Sequence, residues 1–244
     1  MNLGTRTNKD KKILIIVPAY NEAQNLPEVI AGIRQQPLAV DILILNDGST
    51  DDTAAVGNAC GAFVIDLPYN LGIGGAVQTG YRFAYEMGYD IVGRLDGDGQ
   101  HDAQHLPELY QNIEADLADV VIGSRYKEGA GYTASLSRAV GTRLFASIAS
   151  RITKQKFTDT TSGFWMLNRK AMAVLAKHLP SDYPEIEGLV MLCRANFRVC
   201  EVAVSMKPRQ HGQSSIRPLH TFYYVFKVLL AILLEAMRKP VTRY

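Results

Sequence analysis

The stretch "RLDGDGQHD" (residues 94–102) places Asp96, Asp98 and Asp102 within seven positions, just behind the run Tyr89-Asp90-Ile91-Val92. Carboxylates this close repel one another and resist burial unless a cation or hydrogen-bond donors compensate. Asp-Gly pairs also make good turns, so a plain turn is one reading. A calcium loop, D-x-D-x-[DN]-G, is another, and it fails because Gln100 and His101 stand where an acid or Asn and the glycine belong. Oxygen ligands spaced D-x-D suit a hard divalent ion, Mg2+ or Mn2+, which in turn screens a diphosphate. Gly97 between them is expected to bend the backbone so that both carboxylates serve one site.

These acids end a predicted strand, and four other strand ends carry polar groups beside small residues. They are Pro18-Ala19-Tyr20-Asn21-Glu22, Asn46-Asp47-Gly48-Ser49, Tyr69-Asn70-Leu71-Gly72 and Gly123-Ser124-Arg125. Alone, Asp47-Gly48-Ser49-Thr50 reads as helix capping. Five such ends on one edge are hard to explain as five independent caps. A carboxylate near the first strands can accept hydrogen bonds from a base N–H or a ribose hydroxyl. Arginines can neutralise a phosphate leaving group or acceptor.

The elements that position these ends alternate. "KILIIVP", "VDILILND", "AFVIDLP", "DIVGRLD" and "ADVVIGSR" read as strands. Between them lie helical patterns: one with Leu26, Val29, Ile30 and Ile33 at helical spacing, one closed by Gly61, one over 75–87 and one in "AQHLPELYQNIEAD". This rhythm predicts an α/β fold, a mostly parallel sheet with helices on both faces, whose ligands bind outside the carboxyl ends of the strands. After Arg125 the rhythm weakens. Helical stretches are expected around 136–151 and 181–196, with a strand pair near "TSGFWMLNR" and "RVCEVAVSM" and a long loop carrying "KPRQHGQSSI".

The 244 residues suffice for one large domain or two small ones. A net charge of +2 gives no argument for a nucleic-acid partner. Three cysteines, Cys60, Cys193 and Cys200, form no C-x-x-C pair and leave an odd count, which points to a reducing cytoplasm. The polar, basic N-terminus is followed only by the short apolar run Ile13 to Val17, which disfavours a signal peptide. No run of about 18 apolar residues is present, so no ordinary membrane span is expected.

In this order, "IIVPAYNEAQNL", "ILILNDGSTDDT", "NLGIGGAVQTGY", "RLDGDGQHD", "VVIGSRY", "TDTTSGFWMLNR" and "RQHGQSSI" resemble a family 2 glycosyltransferase of GT-A, Rossmann-like fold over roughly residues 13–216. The resemblance is greatest to the branch of polyprenyl-phosphate hexose synthases. It implies an inverting, metal-dependent transfer of a hexose from a nucleotide sugar, UDP- or GDP-linked, to polyprenyl phosphate or a lipid-linked cell-surface glycan. Asp47 would then contact the base, with Pro18, Tyr20 and Glu22 lining the same pocket and Gly72 beside it. Asp96 would sit near ribose and metal, and Asp98 would be the principal metal ligand, joined by Gln100. Arg125, Arg138 and Arg209 match basic positions facing the acceptor phosphate or donor diphosphate. Arg209, Gly212 and Ser214 match a loop that closes over the donor.

A hydroxyl acceptor needs a general base, and "DYPEIEGLVML" offers Glu185 and Glu187, with Glu187 the better candidate. A phosphate acceptor is already anionic and needs none, so these acids could equally be helix N-terminal acids favoured by the dipole. "GIGG" at 72–75 does not complete G-x-G-x-x-G, because Val77 breaks it. His101 and His105 find no third nitrogen or sulfur ligand by sequence, and Trp165 is expected to pack in the core. Alternative functions are a nucleotidyltransferase making a nucleotide sugar and a non-catalytic nucleotide-sugar-binding protein.

The tail divides the chain into a catalytic domain, 1–217, and a C-terminal amphipathic helix within 218–244. Lys227, Glu235 and Arg238 share one helical face with Ala231, while Phe222, Phe226, Leu229, Leu230, Leu233 and Met237 crowd the other. Aromatic and basic residues together suit an interfacial helix, which would place the enzyme peripherally on the cytoplasmic, inner face of the plasma membrane. A helix buried against the domain, or against a homo-oligomer mate, is the alternative.

Overall fold

The computed structural model describes residues 11–128, 130, 136–208 and 221–242, with residues 136–140 and 221–225 described in backbone only. Its strands are β1 (Ile13–Ala19), β2 (Asp41–Asn46), β3 (Phe63–Asp66), β4 (Ile91–Arg94), β5 (Val120–Ser124), β6 (Trp165–Asn168) and β7 (Val199–Ala203). The helices are α1 (Leu26–Arg34), α2 (Thr53–Ala59), α3 (Gly72–Glu86), α4 (Leu106–Glu114), α5 (Leu136–Thr153), α6 (Arg169–His178), α7 (Pro184–Arg194) and α8 (Thr221–Met237).

All seven strands form one sheet in the order β3-β2-β1-β4-β6-β5-β7. Only β6 runs antiparallel to its neighbours, β4 and β5. Every residue of β1 is buried, as expected of a central strand covered on both faces. Its side chains alternate: Leu14 and Ile16 join the core under α3, α6 and α7, while Ile13, Ile15 and Val17 join the core under α1 and α4. In α1 the four residues read from helical spacing, Leu26, Val29, Ile30 and Ile33, are the buried ones. Gly61 has φ 71°, the left-handed conformation that ends the α2 segment cheaply.

Two details differ from the sequence reading. The segments containing β6 and β7 do not pair with each other, because β5 lies between them, antiparallel to β6 and parallel to β7. Helix α6 follows β6 at once, started by the Asn168 side chain accepting from the Ala171 amide at 3.0 Å. The reversal of β6 has a consequence for the site. Its first residue, Trp165, pairs with Arg94 at the end of β4, so the segment 159–163 reaches the edge where β1, β2, β4 and β5 finish.

Helix α8 packs on α5 and α7 through Val228 and Ile232, which meet Phe145, Ala149, Ile186 and Val190 in a third, smaller core. Lys227, Ala231, Glu235 and Arg238 line the groove between α8 and α7, where Glu235 is buried while Lys227 and Arg238 stay exposed. Phe226, Leu230, Leu233, Leu234 and Met237 are exposed as well. The large apolar groups of this helix thus face out, while Val228, Ile232 and Glu235 are turned into the domain. Among the described residues, no helix is long and apolar enough to cross a membrane.

Candidate active site

Parallel pairing brings the carboxyl ends of β1, β2 and β4 level, with Ala19 opposite Asn46 and Ile16 opposite Arg94. Beyond these ends the loops are stitched together by hydrogen bonds. Asp47 N–H donates to the Ala19 carbonyl at 2.9 Å, and Gly97 N–H donates to the Pro18 carbonyl at 3.1 Å. Asp47 and the D-x-D loop thus flank the end of β1 from opposite sides. Asn21 N–H donates to Ser49 Oγ at 2.9 Å, and Asn21 Oδ1 accepts from the Thr50 amide at 2.8 Å. Asn21 pays for this with φ 57°, a conformation in which Asn is among the tolerated residues.

Asp47 is 5% exposed and its Oδ1 accepts from the Leu71 amide at 2.7 Å, which fixes the start of α3 and Gly72 beside it. Gly48 is required twice over: φ is 68°, and a Cβ would come within 2.7 Å of the backbone at Tyr69 and Asn70. Pro18 is buried, Tyr20 is half exposed at the lip, and Glu22 accepts from Asn25 Nδ2 at 2.5 Å.

In the D-x-D loop, Asp98 Oδ1 accepts the Gln100 amide at 3.0 Å, which curls the chain around Gly99 at φ 73°. The bend therefore sits at Gly99. Gly97 is needed for a different reason, since a Cβ there would lie 3.0 Å from the Pro18 carbonyl. Asp96 N–H donates to His101 Nδ1 at 3.0 Å. That bond needs the Nδ1 lone pair, so His101 is neutral with its proton on Nε2. Burial, outweighing the neighbouring Asp96 and Asp98 charges, also pushes the His101 pKa below the ordinary value. Its ring stacks on Phe164 at 5.3 Å. His105 instead binds the Ser205 amide through Nε2 at 3.0 Å, so the two histidines do not converge on a metal.

The Asp96 carboxylate meets Arg94. Arg94 Nη2 lies 3.2 Å from Asp96 Oδ1 and 2.8 Å from Glu185 Oε1, with only 4% of the arginine side chain exposed. Burial would raise the Asp96 pKa, but the charge and hydrogen bond of Arg94, and then the charge of Arg125, hold it below the usual carboxylate range.

Arg125 grips Asp159 side-on, Nε to Oδ2 at 2.7 Å and Nη2 to Oδ1 at 2.8 Å, and Nη2 also donates to Thr161 Oγ1 at 2.8 Å. Asp159 is fully buried, and its amide and that of Thr158 donate to Glu201 on β7. The structure thus gives Arg125 a structural partner at the edge.

Glu185 and Glu187 both occupy the first turn of α7 but face different neighbours. Glu185 meets Arg94 on the Asp96 side. Glu187 lines a groove of about 330 Å3 against α8, with Asp182, Lys227, Glu235 and Arg238. Of the two, Glu185 is the one joined to the D-x-D loop, through Arg94. Arg138 belongs to α5, but its side chain is outside the described residues, as are Arg209 and Ser214 altogether. Arg94, Asp159 and Glu201 are the site residues that the sequence reading missed. One signal was available for Arg94: a charged residue ending an apolar strand, two positions before Asp96.

A mostly parallel sheet with a D-x-D loop at its carboxyl edge is the architecture of the GT-A glycosyltransferases. The chain belongs to glycosyl transferase family 2, whose family model matches residues 14–175. It is 29% identical over 215 residues to the UDP-N-acetylglucosamine–dolichyl-phosphate N-acetylglucosaminyltransferase of Methanococcus voltae, covering 80% of this chain and 85% of that one. It is 28% identical over 218 residues to the undecaprenyl-phosphate mannosyltransferase of Micrococcus luteus, covering 84% and 87%. These relatives belong to the polyprenyl-phosphate branch. The crystal structure of glucosyl-3-phosphoglycerate synthase from Mycobacterium tuberculosis, in complex with Mn2+, UDP and glucosyl-3-phosphoglycerate, matches with a TM-score of 0.71 at 20% identity. It covers 94% of this chain and 81% of that one, a likeness that establishes the fold.

Proposed function

We propose that this glycosyltransferase is inverting and metal-dependent, and that it moves a hexose from a UDP- or GDP-sugar to polyprenyl phosphate. The observation that supports this reading most is the meeting of Asp47, the Asp96–Gln100 loop and the Arg94 and Arg125 cations at one sheet edge. Relatives named for transfer to dolichyl or undecaprenyl phosphate support the acceptor class, and the structural neighbour crystallised with Mn2+ and UDP supports the donor class.

The donor set fits a hard divalent ion, Mg2+ or Mn2+. Asp96, Asp98 and Gln100 offer only oxygen ligands from one tight loop. Among the described residues no group of three or more His, Cys, Asp or Glu side chains could hold a metal. Asp96, Asp98 and Gln100 would hold such an ion, leaving positions for oxygens of the donor diphosphate. Such an ion, when bound, neutralises charge on the leaving diphosphate.

The chain's own residues bind and orient. Asp47 accepts from the base, with Pro18, Tyr20, Glu22 and Gly72 around the same pocket. Arg125 contributes positive potential near the phosphates, and Arg138, Arg209 and Ser214 complete the phosphate-facing set. An acceptor phosphate oxygen attacks the anomeric carbon from the face opposite the nucleotide. The new C–O bond forms as the bond to the diphosphate breaks, and the electron pair leaves with the nucleoside diphosphate. The nucleophile is already an anion, so neither Glu185 nor Glu187 needs to act as a base.

The exposed stripe of α8, with Lys227, Arg238 and Lys239 exposed on the same helix and just after it, suits contact with a bilayer that carries the acceptor. This reading places the enzyme peripherally on the inner face of the plasma membrane. A self-associating seam along the same stripe is the other occupant.

The test is a transfer assay with polyprenyl phosphate and a panel of nucleotide sugars, following glycolipid and nucleoside diphosphate together. Product that disappears with excess chelator is expected. Pyrophosphate release without glycolipid would support a nucleotidyltransferase instead, and nucleotide-sugar binding without any turnover would support a non-catalytic role.

A further inference from the structure

We infer that Arg94 is a positioning residue that sets the Asp96 carboxylate for the donor and ties the D-x-D loop to α7. The inference rests on the donor-binding reading above.

Arg94 ends β4 and is buried in a sheet that otherwise offers apolar surroundings there. An arginine in that position is costly unless its charge is matched. It is matched twice, because one nitrogen, Nη2, serves both Asp96 at 3.2 Å and Glu185 at 2.8 Å. The phenol of Tyr81, fully buried on α3, lies close enough to feel the charges of Arg94, Glu185 and Asp96. Nε of Arg94 is sealed from solvent with no hydrogen-bond partner, so the guanidinium accepts an orphaned donor to keep this pose.

The segment before β6 closes the fourth side. A Cβ at Gly163 would lie 2.9 Å from Arg94 Nη2 and 2.9 Å from Asp96 Oδ2. A side chain there would push the ion pair out of its present pose. From the other direction His101 Nδ1 receives the Asp96 amide. Backbone and carboxylate of Asp96 are therefore both fixed before any donor arrives, so little reorganisation remains at binding.

Asp96 and Glu185 lie on separate elements, and a planar guanidinium can serve both. Both carboxylates meet the terminal Nη2, and a lysine stem is one bond shorter, so its ammonium falls short of the point where the two acids converge. This separates a positioning role from simple charge neutralisation. Arg94→Lys keeps the charge, while the double variant Arg94→Met, Glu185→Gln removes the cation together with one of the acids it neutralises.

Calorimetry with UDP plus Mn2+ and GDP plus Mn2+, using whichever nucleotide the wild type binds, reads the effect directly. Both variants are expected to melt cooperatively and bind at least tenfold more weakly. In the transfer assay Arg94→Lys should raise the donor KM by the same factor while kcat at saturating donor stays within threefold. A purely structural role would lower kcat through the folded fraction and leave KM in place. Either folded variant binding within threefold of wild type overturns the inference. Wild-type protein that binds neither nucleotide counts against the proposed function itself.

Discussion

Glu187 offers a sharp test of the electrostatics around α8. The residue is 8% exposed and its side chain lines the α7–α8 groove. Asp182 faces it from the preceding loop, and Glu235, Arg238 and Lys227 face it from α8. Burial, and then the charges of Asp182 and Glu235, push its pKa up to about 7, with Arg238 pulling the other way. Arg238 is partly engaged elsewhere, since its Nη1 lies 3.0 Å from Glu235 Oε2.

The folded state therefore holds this proton more tightly than the unfolded chain, where a Glu titrates near about 4.3. Its contribution is fully present below that value and is lost as pH rises to about 7. One pH unit is worth about 1.4 kcal/mol, so the undiscounted loss is on the order of 4 kcal/mol. Solvent entering the groove screens the charge, which leaves about 1–2 kcal/mol. Glu187→Gln stays neutral at every pH. In urea titrations it should match wild type near pH 4.5 and exceed it by about 1–2 kcal/mol at pH 8. A difference that is flat between these pH values, or that favours wild type at pH 8, refutes the reasoning.

Other expectations follow from the same contacts. Asp159→Ala strips the Arg125 guanidinium of its buried partner and should cost about 3–5 kcal/mol in chemical denaturation. Gly163→Ala forces a methyl against Arg94 and Asp96, so donor KM should rise several-fold, and unchanged KM would show that the pair can shift freely. Phe226→Glu with Leu233→Glu places charge on the exposed α8 stripe and should abolish flotation with anionic liposomes. Equal flotation of this double variant and wild type would remove the membrane contact, and a loss of dimer instead would assign the stripe to self-association.

The sheet was legible because β-branched runs are short and bounded, and because helical patterns alternate with them through the first five strands. Leu26, Val29, Ile30 and Ile33 bury as their spacing requires. What stayed hidden was long-range. Nothing in "TSGFWMLNR" says that it enters the sheet between β4 and β5, since strand order depends on crossovers rather than on local pattern. The same crossover brings Gly163 against Arg94 and Asp96, so that contact was hidden with it.

Periodicity placed Lys227, Glu235 and Arg238 on one face of α8, but it could not say that Glu235 would be buried or that Arg194 would receive the end of the helix by donating to the Glu235 and Arg238 carbonyls. The acids of the site were visible as residues. Their pairing was not, because Arg94–Glu185 spans 91 positions of sequence.

The central claim is that Asp98 and its loop serve sugar transfer from a nucleotide donor to a polyprenyl phosphate. Wild type and Asp98→Ala can be compared side by side, with donor, Mn2+ and polyprenyl phosphate, by mass spectrometry of the lipid fraction. Wild type should yield a phosphate-linked hexosyl lipid, and a cooperatively melting Asp98→Ala should lose at least a hundredfold of that rate, the scale of about 2.7 kcal/mol of transition-state stabilisation. Product formed by the variant at the wild-type rate would contradict the account.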